Sequence, residues 1–203
     1  MTTSSNGALA VEVWSDIACP WCWVGKHNLE AAVADLGIPV HVRWRAFELD
    51  PSAPPSDPEP ADYVGRIAAK YGVPRGQAQD TIDRICQAGS DAGVAFRFDR
   101  IKPGNTFDAH RLLHLASEHA VQNELKERLF FAYLNEGLAI SDHHVLAEAA
   151  DDVGLPAASV AELFQSDQFA EVVRRDEARA QQIGVTGVPF FVVGNRYALG
   201  GAQ

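Results

Sequence analysis

The apolar pattern of the chain changes period at Cys19-Pro20-Trp21-Cys22, and that change restricts the folds open to it. Before it, Val11 and Val13 alternate with Glu12, the two-residue period of a strand over 9–15. After it, Leu29, Ala32, Val33 and Leu36 recur at i, i+3, i+4 and i+7, as on one buried helix face. Proline at the first helical position and Gly37 past the last turn frame that helix, predicted over 19–36. Counting back seven from Leu29 reaches Cys22, with Gly25 between them on the same face. Cys22 is therefore expected to point inward and Cys19 to lie exposed at the helix tip.

A second strand is expected over 40–47, where Val40, Val42, Trp44 and Ala46 alternate with His41, Arg43 and Arg45. The segment 51–60 holds five prolines and reads as a stiff linker. From 61 to 182 only helical periodicity is found, with helices expected over 63–71, 75–92, 106–119, 122–136, 142–153 and 167–182. In the last of these Phe169, Val172, Val173, Ala180 and Ile183 share a face. The apolar run 188–193 reads as a buried strand, Gly194-Asn195 suits a two-residue turn, and 196–199 returns as its partner. Two short parallel strands around a crossover helix cannot close a sheet alone, so the final hairpin must join them. The expected fold is α/β with a large all-helical insertion. Residues 1–50 and 183–203 form the two parts of the α/β domain, 51–60 the linker and 61–182 the insertion. Residues 1–8 read as a flexible polar tail.

At 203 residues, against about 150 per domain, the length suits one large domain carrying an insertion. A formal net charge of −10 disfavours nucleic acid and anionic membranes as partners, since both need clustered positive charge. The first basic residue is Lys26, so the start lacks the basic stretch of a secretory signal, and no apolar run is long enough to span a bilayer. A cytoplasmic protein is expected. Its three cysteines do not form a disulfide scaffold, and a paired C-x-x-C in that compartment points to redox chemistry or metal binding.

A thiolate at a helix N-terminus accepts hydrogen bonds from unpaired backbone N–H groups and feels the positive end of the helix dipole. Those effects lower the pKa of the first cysteine in such motifs. Cys19 is thus the expected nucleophile and Cys22 the resolving thiol that closes onto a mixed disulfide. A zinc site is the alternative, with His110 and His114 at i, i+4 supplying the second pair of ligands, although they lie about 90 residues away. The second signal is Gly187-Val188-Pro189-Phe190, read either as a strand start or as a cis Val188–Pro189 bond beside Cys19. Such a bond presents the backbone of Val188 to an extended substrate segment. Trp21, between the cysteines, is expected on the substrate-facing rim, and Trp14, Trp23 and Trp44 in the core. Cys86, among Ile82 and Ile85, reads as a small buried hydrophobe. His143-His144 reads as surface, and Arg174-Arg175-Asp176-Glu177 as a solvated helix face.

Taken together, Ser15-Asp16 with Cys19-Pro20-Trp21-Cys22, Phe47-Glu48-Leu49-Asp50-Pro51, Asn105-Thr106 with Ala109-His110-Arg111-Leu112, and Gly184-Val185 with Gly187-Val188-Pro189 resemble the DsbA-type thioredoxin-fold proteins. Within them the chain resembles the FrnE-like branch, related to 2-hydroxychromene-2-carboxylate isomerase and the kappa-class glutathione transferases. The resemblance implies a thioredoxin-like core, thiol–disulfide exchange through Cys19 and Cys22 beside Pro189, and a substrate groove touched by Trp21, Val188, Asn105 and His110. It implies a thiol or disulfide substrate, protein or small molecule, with no resident cofactor or metal and with glutathione as a redox co-substrate. A homodimer is compatible with it. The isomerase and transferase relatives carry serine where this chain has Cys19, so the two cysteines favour dithiol redox over glutathione-dependent isomerisation or transfer. The family pattern also continues past Gly200-Gly201-Ala202-Gln203 into a final helix on the sheet.

Overall fold

The computed structural model describes residues 8–57 and 59–203; apart from Ala8, the expected polar tail lies outside them, as does Pro58 of the linker. Strand β1 (Leu9–Ser15) pairs in parallel with β2 (Val40–Ala46), and α1 (Pro20–Leu36) makes the crossover. Seven further α-helices follow among the described residues: α2 (Tyr63–Tyr71), α3 (Arg75–Asp91), α4 (Phe107–Glu118), α5 (Gln122–Phe131), α6 (His143–Asp152), α7 (Ala157–Phe164) and α8 (Ala170–Gln182). The chain returns as the hairpin β3 (Phe190–Val193) and β4 (Tyr197–Gly200), with β3 antiparallel to β1 and a strand order of β2-β1-β3-β4. This is an α/β thioredoxin-like fold with a helical insertion, a four-stranded mixed sheet completed by the last hairpin. No helix among the described residues is long and apolar enough to cross a membrane.

Alternation along β1 sends its side chains to two different cores. Val11 and Val13 meet Trp44 of β2 and Phe191 of β3 under α1, with Leu29 packed against them. Trp14, one residue on, faces the other way into Ala180 and Val185, and its indole N–H donates to the Asp176 carbonyl at 2.9 Å. Burying a side chain of this size stabilises the fold by roughly 2 kcal/mol. The same parity sends Glu12 and Arg45 toward α8. Arg45 Nη1 reaches Asp176 Oδ1 at 2.9 Å and also pairs with Glu12, Ala46 N donates to Asp176 Oδ2 at 3.0 Å, and His114 Nε2 lies 3.1 Å from that oxygen. Asp176 is therefore buried, which corrects the reading of residues 174–177 as a solvated face. Burial would raise its carboxyl, but His114, the Ala46 N–H and Arg45 hold it below the ordinary range.

Helix α1 starts and stops where its sequence signals place it, with Cys19 as N-cap, Pro20 at the first turn and Gly37 in the left-handed region. Its burial does not follow the expected stripe. The buried part is Pro20 with Cys22 to Lys26, whereas Ala32 and Leu36 are exposed and Leu29 and Val33 half-buried. The inserted helices cover the first two turns only: Trp23 stacks on Phe130, and its indole N–H donates to Glu127 of α5 at 2.8 Å. Glu127 also pairs with Lys26 at 2.8 Å, joining α1 to α5. The sequence reading also leaves out α7. Its signals were Pro156 just ahead of the first turn and Val160 with Leu163 and Phe164 at helical spacing, and an eight-residue helix offers little more. A further departure is the end of α5, where residues 132–136 form a π-helical turn rather than a continuation of the helix.

Candidate active site

Four chain segments converge at the N-terminus of α1. Cys19 takes an extended conformation as N-cap (φ −99°, ψ 110°), and its thiol donates to the Val188 carbonyl at 3.5 Å. The Val188–Pro189 bond is cis, so the loop entering β3 meets the cysteine through its backbone. Both cysteines are free. Cys22 is fully buried, as its helical phase requires, but Cys19 is only 5% exposed, not the open thiol expected. The cover is tertiary: Ile17, Trp23, Val24 and the inserted helices enclose both sulfurs in one apolar cluster, with Tyr63 of α2 and Val188 at its edge. Trp21, expected on the substrate-facing rim, is 38% exposed.

The two sulfurs titrate as a pair, because ionising one opposes ionising the other. The Cys19 thiol is held well above its ordinary range by the neighbouring Cys22 sulfur first, by burial and by the Cys22 charge. Cys22 moves down: burial opposes its thiolate, but the neighbouring Cys19 and Ser15 side chains and the charge of Lys126 outweigh that cost. The expectation that the helix tip lowers Cys19 is thus reversed in this closed, reduced form. The helix does act on it, since the Cys22 N–H favours the Cys19 thiolate, but the neighbouring Cys22 sulfur is the stronger influence.

Behind the cysteines lies a polar layer whose members come from three parts of the chain. Asp16, in the loop between β1 and α1, accepts from Leu49 N at 2.7 Å and Ala18 N at 3.2 Å, tying the active-site loop to the end of β2. Burial would raise its carboxyl, but His110 and these two N–H groups hold it below the ordinary range. His110 is buried on α4, with Nε2 3.4 Å from Asp16 Oδ1 and no formed hydrogen bond. Burial pushes the imidazole down and Asp16 only partly offsets this, so the ring is neutral at neutral pH. Lys126, fully buried on α5, donates to the Ser15 carbonyl at 3.4 Å, and burial brings it down to about 8. Neither Asp16 nor Lys126 was singled out for chemistry in the sequence; the one available signal was Ser15-Asp16 immediately before the motif.

The remaining expected site residues are placed as follows. Asn105 caps the start of α4, its side-chain oxygen accepting from Phe107 N at 2.8 Å, and its amide donates to Glu48 at 3.3 Å. Burial raises the Glu48 carboxyl to about 6, with Arg174 at 2.6 Å opposing the shift. His110 and His114 face separate carboxylates, Asp16 and Asp176, so the two-plus-two zinc arrangement is not assembled. No group of three or more potential ligands converges among the described residues. Cys86 is half-buried on α3, and burial raises its thiol.

One pH effect follows from His110. Its folded-state pKa is depressed, so below about 6.5 the unfolded chain binds a proton that the folded chain refuses. Stability is therefore unaffected by this group above about pH 6.5 and falls below it, by at most about 1.4 kcal/mol per pH unit for one proton. Chemical denaturation between pH 7 and 5 is expected to show a shallower slope in His110→Leu. The lowered Asp16 carboxyl acts in a separate window. Its stabilisation is present above about pH 3.9 and lost as the pH falls through its folded value.

Residues 10–203 match the DSBA-like thioredoxin domain family. The uncharacterized protein YwbO of Bacillus subtilis is 30% identical over 194 residues, which is 95% of this chain and 90% of that protein. The crystal structure of a probable DsbA oxidoreductase from Streptomyces coelicolor superposes with a TM-score of 0.87 at 39% identity, covering 96% of this chain and 84% of that one. A cytosolic disulfide reductase, DsbM of Pseudomonas aeruginosa, shares the fold at 16% identity, with a TM-score of 0.65 over 94% of this chain and 88% of that one. With the Cys-Pro-Trp-Cys pair at the tip of α1 facing cis-Pro189, these likenesses make the chain a member of the DSBA-like thioredoxin domain family.

Proposed function

We propose that the protein is a thiol–disulfide oxidoreductase that cycles Cys19 and Cys22 between dithiol and disulfide against protein or small-molecule thiols. The observation that carries this reading is the free Cys19–Cys22 pair at a helix N-terminus, its first sulfur held against the Val188 carbonyl. In the reducing direction the Cys19 thiolate attacks a substrate disulfide and expels one thiolate. Cys22 then attacks the Cys19 sulfur, expels the second thiolate and closes the protein disulfide. In the oxidising direction the same steps run backward. Glutathione suits the role of a small co-substrate, and the fold neighbour DsbM has been solved with it bound. Isomerase or transferase chemistry finds less support, because a second thiol beside Cys19 resolves any mixed disulfide before glutathione can be used as a carrier.

The reading is tested by equilibrating the protein in glutathione buffers of graded potential and following tryptophan fluorescence, with Trp21 and Trp23 flanking Cys22 in the chain. A single reversible two-electron transition is expected. Its midpoint against the cytosolic glutathione poise assigns the working direction. Thiols that remain free across the whole series would refute the reading.

A further inference from the structure

A lysine with no water around it is expensive unless an anion balances it. Lys126 is such a lysine, brought under the active site by the inserted helix α5 rather than by the sheet or α1. Its ammonium sits 5.0 Å from the ring centre of Phe130 and 5.7 Å from that of Trp44, with the Ser15 carbonyl at 3.4 Å. Glu127, its chain neighbour, points to Lys26 instead. The anions that favour its charge are the Cys22 thiolate first, then Asp16 and Cys19; burial and the charge of Lys26 oppose it, and it in turn disfavours protonation of His110. The Ser15 hydroxyl, buried and without a formed hydrogen bond, completes the surroundings of the Cys22 sulfur. The first of these anions, the Cys22 thiolate, exists in only one redox state, whereas Asp16 is present in both.

We propose that Lys126 is a positioning residue for thiol–disulfide exchange: it balances the Cys22 thiolate in the reduced protein and gives up its proton when the Cys19–Cys22 disulfide forms. This rests on the oxidoreductase reading above and specifies how its resolving half is charged. The reduced protein carries one proton on the sulfur pair and one on Lys126. Reaction with a disulfide RSSR makes the Cys19–Cys22 bond, breaks the R–S–S–R bond and transfers two electrons to the substrate. The pair's proton goes to one released thiolate and the Lys126 proton, through solvent, to the other. Two RSH leave, and Lys126 is left neutral between Trp44 and Phe130. Once Cys22 has no charge, the remaining nearby carboxylate is Asp16, which already accepts from Leu49 N and Ala18 N.

Two measurements on the full chain test this. Only four lysines are present, so the Lys126 signal is tractable by NMR after labelling lysine at Cε. Its pKa is expected to be at least one unit lower in the disulfide form than in the dithiol form; equal values in both forms would overturn the proposal. In Lys126→Met the side chain fills the same apolar slot, and loss of a buried charge leaves the fold intact. Absorbance titration of the thiolate is then expected to place the first thiol ionisation at least tenfold higher. The equilibrium with glutathione should move about tenfold toward the protein disulfide, or about 30 mV. A folded Lys126→Met protein with unchanged thiol ionisation and unchanged equilibrium would also overturn it. A purely structural lysine would alter unfolding without moving either quantity. If the unaltered protein has no reversible couple at all, the oxidoreductase reading itself fails, which is a different result from an unmoved lysine.

Discussion

A Cys19→Ser protein is expected to lose thiol–disulfide exchange by at least about a thousandfold while keeping its fold. Serine fills nearly the same volume in the buried cluster, but a hydroxyl can neither ionise at neutral pH nor form a disulfide. Cys22→Ser is expected to behave differently. Its Cys19 loses the neighbouring Cys22 sulfur, the first cause of its raised pKa, and still attacks a substrate disulfide. Nothing then resolves the product, so a mixed disulfide at Cys19 accumulates. Mass spectrometry after incubation with oxidised glutathione distinguishes the two: one glutathione adduct on Cys22→Ser, none at this site on Cys19→Ser. Turnover that survived in Cys19→Ser would place the chemistry elsewhere in the protein.

The second large effect concerns packing around Pro189. Gly25 lies one turn along α1 from Cys22, and a Cβ there would stand 2.9 Å from Cγ of Pro189 and 3.3 Å from Cζ of Phe191. Neither neighbour yields easily. The proline ring is rigid, and Phe191 is fixed in the core under α1 with Val13 and Trp44. Gly25→Val is therefore expected to cost about 1–3 kcal/mol by overpacking. The same displacement acts on the loop whose Val188 carbonyl holds the Cys19 sulfur, so the rate of exchange should fall with stability. Gly76 on α3 is the control, because a Cβ there meets nothing within 4 Å. Denaturation curves and exchange rates for Gly25→Val and Gly76→Val would separate a local clash from a general helix effect. Equal behaviour of the two variants would show that Pro189 has room to move.

Much of the scaffold could be read directly. Strong period-two patterns located β1 and β2, and Pro20 and Gly37 bounded α1, because local sterics and capping set those limits whatever packs against them. The stripe on α1 misled, since a helical period says which residues share a face and not how far along the helix a neighbour extends. Here the inserted helices cover only the first two turns, which leaves Leu36 57% exposed. Asp176 misled in the opposite direction. In a run of charges it looks like surface, and only the register that turns Arg45 and Glu12 toward α8 makes it a buried acceptor.

The candidate site divides in the same way. Sequence by itself determined the Cys19-Pro20-Trp21-Cys22 pair and its place at a strand-to-helix junction, because motif spacing and a change of apolar period are local. Tertiary structure alone decided the electrostatics. Cys19 is enclosed rather than open, Cys22 carries the favoured charge, and the compensating ammonium comes from Lys126, more than a hundred residues later in the chain. Charge energies in a dry interior depend on which groups lie within a few ångströms and on how much water has been removed. Neither quantity is written in the order of the residues.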